Sequence, residues 1–295
     1  MNARLQVALA AALFSTGGAA IKLSALSGWG VLAVRALIAA ATIVVLVPEA
    51  RRGWNARAAL VALAYACTTV LYVQANKLTT AASTIFLQGT SPLFILLLAP
   101  LLLGERASRR DAGYMAVLAV GMALLFVGTP RRFATAPNPL LGNVLAAGCA
   151  VTWAFTLIGY RWLTARGGSV ASAATMGNLL ACLIGLVVGA GLPAAGPADW
   201  IVLAYLGVFQ LGMPYVLLTR AVPRLPALDV SLVLLVEPVL NPIWAWLLHG
   251  ETVSLWALAG GAVILGATLH RTGREARGLA RTAATARGRV PVEEP

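Results

Sequence analysis

Of 295 residues, 60% are hydrophobic and only 11% are charged, with a mean hydropathy of +0.85. A soluble domain of this length would have too little polar surface to face water, so the composition is that of an integral membrane protein. The net charge of +12 sits in short loops between apolar runs, the pattern of membrane orientation and not of nucleic-acid binding.

Taken in order, the chain predicts an all-α protein with ten transmembrane spans, at 4–22, 28–47, 57–76, 79–103, 111–128, 141–163, 169–192, 198–220, 227–249 and 253–270. Gly or Pro punctuates the connections at Pro48, Gly104, Pro130 to Pro139, Pro193 to Pro197 and Gly250. The first span has the look of a signal peptide, with Arg4 before an apolar run. Its Val7 to Ala11 nevertheless resembles Val144 to Ala147 of the sixth span, so it is expected to remain as a helix. It carries Ser15 and Thr16. Arg35 in the second span is expected to be a structural anchor near that span's outer end, snorkelling outward or pairing with a carboxylate.

Polar residues then recur at helical spacing. The third span places Tyr65, Thr68, Thr69, Tyr72 and Asn76 on one face, and the fourth does the same with Thr80, Thr84, Gln88 and Ser91. The sixth adds Trp153, Thr156 and Tyr160, the seventh Asn178, and the eighth Tyr205, Phe209, Gln210 and Tyr215. A single Ser or Thr in such a helix usually bonds a neighbouring helix. Stripes on several helices together predict a wet central cavity lined by hydroxyls, amides and rings. Cys67, Cys149 and Cys182 fall within apolar runs, without a metal or disulfide spacing, and are expected to be small core residues.

The ninth span, around Asp229 to Gly250, is the centre of the pattern. Glu237 lies eight residues beyond Asp229, about 12 Å of helix. A charge at that depth costs at least about 2.5 kcal/mol, which favours a functional carboxylate over a structural, protonated one. Asn241 and Trp244 share its face. Pro92 and Pro238 cannot donate, so the carbonyls of Gln88 and Leu234 are freed; the two prolines are either hinges or fixed kinks, and Pro100, Pro214 and Pro242 are kinks. Glu105 and Glu251 each follow a Gly at a helix end and are expected to cap neighbouring helices. His249 and His270 sit at span ends. Without a metalloprotease helix, phosphate loop or serine elbow, the chain is expected to be no enzyme and to need no cofactor or metal.

Lys and Arg set the orientation. Only Lys22, Lys77, Arg131 and Arg132 fall on one side, whereas Arg51, Arg52, Arg57, Arg109, Arg161, Arg166, Arg220, Arg271 and others fall on the other, which should be cytoplasmic together with both termini. Ala81, Pro92 and Gly104-Glu105 are spaced like Ala227, Pro238 and Gly250-Glu251. Each half has five spans, an odd number, so the halves must cross in opposite senses. The expected organisation is a first five-helix repeat at 1–135, a second, inverted one at 136–271, and a basic disordered cytoplasmic tail at 272–295.

The two Gly-Glu pairs, Pro92, Glu237-Pro238-Val239 and Trp153-Ala154 resemble the EamA-type drug/metabolite transporter superfamily over about residues 4 to 270. Within it the chain looks most like the YddG-type bacterial exporters of aromatic and other amino acids, although Phe14 stands where relatives often have Trp. The resemblance implies a two-basket arrangement with helices one to four and six to nine around the cavity. The expected substrate-binding set is Glu237, Asn241, Gln88, Tyr72, Trp153, Tyr205, Gln210, Tyr215, Ser15 and Thr16, with hinges at Pro92 and Pro238. Rings would stack on a substrate, amides and hydroxyls would meet a carboxylate, and Glu237 would receive an α-ammonium group. The expected function is export of aromatic and other neutral amino acids across a bacterial inner membrane by a monomeric secondary transporter in the lipid bilayer. An exporter of cationic drugs or other metabolites is the alternative, and a membrane-embedded lipid-modifying enzyme the alternative of another class.

Overall fold

The computed structural model describes residues 2–102, 109–129, 134–191, 194–221, 224, 233–234 and 236–287, and among these every regular element is helical. The first two helices, α1 (Ala3–Ser15) and α2 (Gly17–Leu23), make up the first span and break at Thr16. They are followed by α3 (Gly28–Leu46), α4 (Ala56–Leu78), α5 (Ala81–Gln88), α6 (Ser91–Leu102) and α7 (Arg109–Val127). The second half holds α8 (Pro139–Thr164), α9 (Val170–Val188), α10 (Pro197–Tyr205), α11 (Met213–Ala221), α12 (Val236–His249) and α13 (Leu255–Arg287). A π-helical stretch, Leu206–Gly212, joins α10 to α11.

Local chemistry fixes many of the starts. Ser27, Asn55, Thr80, Asn138 and Ser169 are N-caps whose side-chain oxygens accept backbone N–H groups of the first turn. Seven helical stretches are long and apolar enough to cross a membrane, matching expected spans one to four and six to eight. Spans five and ten correspond to the shorter apolar segments Asp111–Val127 and Leu255–Arg271, and span nine is described from Val236 onward. Asp229, Ala227, Gly104-Glu105, Arg131 and Arg132 lie outside the described residues.

Two sequence expectations change. Span four is not one helix with a kink: it stops at Gly89 and restarts at Ser91, so Pro92 stands in the first turn of α6, where no backbone donor is required. Beyond span ten, α13 continues to Arg287, through residues expected to be a disordered tail. Ala, Leu and Arg have high helix propensity, which carries the helix past its last apolar residues.

Each half packs on the other. α4 lies against α8, α3 against α9, α7 against α13, α1 against α11, and α5 against α12. The outward faces present large apolar side chains such as Val45, Leu60, Val120, Val187, Ile201, Trp246 and Leu255, the surface a bilayer would cover. Small residues allow close contact inside. A Cβ on Gly18 would stand 2.6 Å from the Ala81 Cβ and 2.9 Å from Asn76 Oδ1, so only glycine lets α2 approach α4 and α5 this closely.

Candidate substrate cavity

Three spans around the centre are interrupted at mid-length: at Thr16, at Gly89-Thr90, and along Leu206–Gly212. Helix breaks leave backbone groups without their usual partners, and in membranes they are tolerated where protein or a cavity surrounds them. Here side chains repair part of the loss. Thr16 Oγ1 donates to Leu13 O at 2.7 Å and accepts from Tyr205 Oη at 2.9 Å, and Thr90 Oγ1 donates to Leu87 O at 2.6 Å. Gln210, on the π-helical stretch, donates to Phe14 O at 3.3 Å. Its amide lies so near Gly17 that a Cβ there would be 2.5 Å from Gln210 Nε2.

Beside these breaks lies a cavity of about 1030 Å³, at the upper end of the ~300–1,000 Å³ typical of small-molecule sites. Its middle is walled by Phe14, Tyr65, Tyr72, Trp153, Tyr160 and Tyr215 together with Gln88, Gln210, Arg35 and Glu237. The rings are mutually ordered: Tyr215 meets Phe14 and Tyr65 edge-on, each with centroids 6.0 Å apart. Asn178 donates to Tyr65 Oη at 3.1 Å and holds that ring from behind. Towards one end the lining continues to Glu49, Thr164 and Arg220, all exposed, so the cavity reaches the arginine-rich face.

The opposite end is closed by polar contacts. Lys22 Nζ lies 2.7 Å from Glu251 Oε1 and donates to Thr79 O at 2.7 Å and to Thr135 O. Glu251 Oε2 accepts the Ala81 N–H at 3.0 Å, capping α5, which is the role expected for it. Thr79 donates to Asn143 at 2.7 Å, and the His249 ring bonds Ala19 O at 2.8 Å. Nearby, Asp199 accepts from Ser24 Oγ at 2.7 Å and from Ala25 N at 2.9 Å, while Lys77 donates to Ser24 O at 2.7 Å. None of these residues lines the cavity.

Of the expected site residues, Glu237, Gln88, Tyr72, Trp153, Gln210 and Tyr215 line the cavity, as does Pro238. Asn241, Tyr205, Ser15, Thr16 and Pro92 do not. Ser15 accepts from Trp244 Nε1 at 2.9 Å, Thr16 from Tyr205, and Asn241 is fully buried beside Gly18. These groups stand one layer behind the cavity because helix periodicity cannot tell a cavity wall from a helix–helix seam.

Arg35 departs most from expectation. It does not snorkel, nor does it pair with a carboxylate among the described residues: it is 3% exposed, lines the cavity, and lies 5.8 Å from the Tyr72 ring centroid. Its position within an apolar run, seven residues beyond Gly28, was the available signal. Among the described residues no group of three or more His, Cys, Asp or Glu could hold a metal.

A protein of Pseudomonas aeruginosa described as uncharacterized is 35% identical to this chain over 243 residues, 77% of each. A pseudopaline exporter of the same organism is 30% identical over 185 residues, 59% of this chain and 60% of the exporter. A crystal structure of another protein shares the fold with a TM-score of 0.60 at 23% identity, covering 90% of this chain and 94% of that one. The EamA-like transporter family matches residues 2–127 and 140–270. This chain therefore belongs to the EamA-like family and is a multi-pass membrane transporter, not an enzyme.

Proposed function

We propose that this protein exports amino acids from the cytoplasm across a bacterial inner membrane, taking aromatic and other neutral ones together. The observation that carries the reading is the middle of the cavity wall: six aromatic side chains, two amides and the carboxylate of Glu237 around a space large enough for such a molecule. Rings provide broad apolar complementarity, and few fixed charges discriminate between side chains. Glu237, Gln88, Tyr72, Trp153, Gln210 and Tyr215 contact substrate in this reading. Asn241, Tyr205, Ser15 and Thr16 hold those residues in place, and Pro92 and Pro238 act as hinges.

The mechanism proposed with it is alternating access by two inverted five-helix repeats. Helix pairing supports this. Exchanging each span with its counterpart five spans later converts the α4–α8 pairing into the α1–α11 pairing and leaves α3–α9, α5–α12 and α7–α13 as pairs. The arginine-rich mouth is then the cytoplasmic one. In this reading the open mouth loads from the cytoplasm, and the Lys22 end is the one that is shut.

Relatives called pseudopaline exporters place export of a metabolite within this family's range, without deciding the substrate here. The deciding measurement uses proteoliposomes loaded with labelled phenylalanine, with tryptophan, leucine, pseudopaline and an organic cation as competitors. Phenylalanine should leave in a protein-dependent manner, and other neutral amino acids should compete. The reading fails if no amino acid moves or competes while the organic cation or pseudopaline is carried.

A further inference from the structure

Two buried cations in this protein have opposite circumstances. Lys22 and Arg35 are each 3% exposed by side chain or residue. Lys22 spends its three donors on Glu251, Thr79 and Thr135, as a structural ammonium should. Arg35 does not: Nε and Nη1 are buried with no hydrogen-bond partner among the described residues, and the guanidinium lies 5.8 Å from the Tyr72 ring centroid. A guanidinium stays charged in proteins, so it cannot escape the cost by losing a proton. A lone buried charge of this kind is strongly unfavourable unless something supplies an anion. Among the described residues nothing else does so. No ion pair forms between Arg35 and Glu237, although both line the same cavity.

We propose that Arg35 is the anion-recognising residue of the cavity and that the transported molecule presents a carboxylate to it. The inference rests on the reading of this cavity as the transport site and names the substrate class within it. A guanidinium offers paired N–H donors in a plane that matches a carboxylate, and the resulting bonds are the strong, charge-assisted kind. Nε and Nη1, the two unpartnered atoms, each belong to one such fork, Nε with Nη2 side-on and Nη1 with Nη2 end-on. Glu237 on the same wall sets the second requirement, a basic nitrogen, so that a bound molecule of net charge near zero neutralises both side chains. A doubly charged phosphate would satisfy Arg35 but face Glu237, and an organic cation would satisfy Glu237 but face Arg35. A small zwitterion suits both.

Binding to the purified protein tests this without depending on transport. Hydrocinnamate and its amide share size and ring and differ only in the carboxylate, and phenylalanine and its methyl ester differ in the same way. In the wild type the acids should bind at least about tenfold more tightly than the partners that lack the carboxylate. Arg35→Gln should abolish that preference, and Arg35→Lys should keep part of it. Equal binding of acid and amide by the wild type, no binding of either, or a preference that survives in Arg35→Gln overturns the proposal. Should Arg35→Gln fail to fold, the wild-type acid-to-amide ratio and Arg35→Lys still decide. The amino-acid reading has its own failure, absence of transport, which leaves an acid preference in binding intact.

Discussion

Glu237 and Arg35 show what single residues contribute in a low-dielectric interior. The carboxylate of Glu237 is half-buried, faces the cavity and has no hydrogen bond to the described residues. A packing carboxyl would be bonded to a neighbouring helix, as Glu251 is to Ala81. Glu237→Gln keeps the shape of the side chain and removes its charge. Transport of a substrate bearing an ammonium group should therefore fall by about tenfold or more, on the scale of a charge-assisted hydrogen bond, with the thermal midpoint unchanged or raised. A variant that transports normally but melts earlier would assign Glu237 to packing. Its place at the cavity was readable from sequence because depth in an apolar run is readable. Arg35 was misjudged for a physical reason: long cationic side chains in membranes usually reach for the interface, and only the packed structure shows that this one is enclosed.

At the scale of elements, the closed end depends on one network that joins four segments. Lys22 ends α2, Thr79 ends α4, Glu251 follows α12, and Thr135 precedes α8. Both charged side chains are almost wholly buried, at 3% and 2% exposure. Removing one partner strands the other, which costs about 3–5 kcal/mol, whereas removing both with side chains of similar size costs far less. Lys22→Met and Glu251→Gln should each lower the unfolding free energy by about that amount, and the double variant should lose clearly less than the sum of the two. Additive losses in a double-mutant cycle of thermal unfolding would show that the pair is not coupled. The Gly-Glu pair flagged Glu251 in the sequence, but its partner could not be read there, since Lys22 and Glu251 are brought together only by the fold. The helix breaks were half-legible in the same way. Gly17-Gly18 and Gly89 mark two of them, while the π-helical turn at Leu206–Gly212 follows from packing and left no distinctive pattern.

For the whole molecule, composition was enough to announce a helical membrane protein, and the helix boundaries follow the apolar runs closely. The pairing of the halves was less accessible, because contacts such as α4 with α8 and α3 with α9 join residues far apart in sequence. Orientation rests on charge alone: cytoplasmic loops retain Lys and Arg, and the face onto which the cavity opens carries Arg51, Arg52, Arg161, Arg166 and Arg220. The Lys22 end should then face outward, and the mouth should face the compartment an exporter must load from. This is tested in a background with Cys67, Cys149 and Cys182 replaced by serine or alanine, the first being partly accessible and the other two buried. Single cysteines are introduced at Ala134 and Pro137, near the Lys22 end, and at Arg52 and Ala165, near the mouth; all four positions are exposed. In intact cells a membrane-impermeant thiol reagent should label the first pair at once and the second only after the membrane is opened. Reversed labelling would turn the cavity mouth outward in this state. The protein would then be poised to receive its substrate from outside, and the assignment to export would lose its structural support.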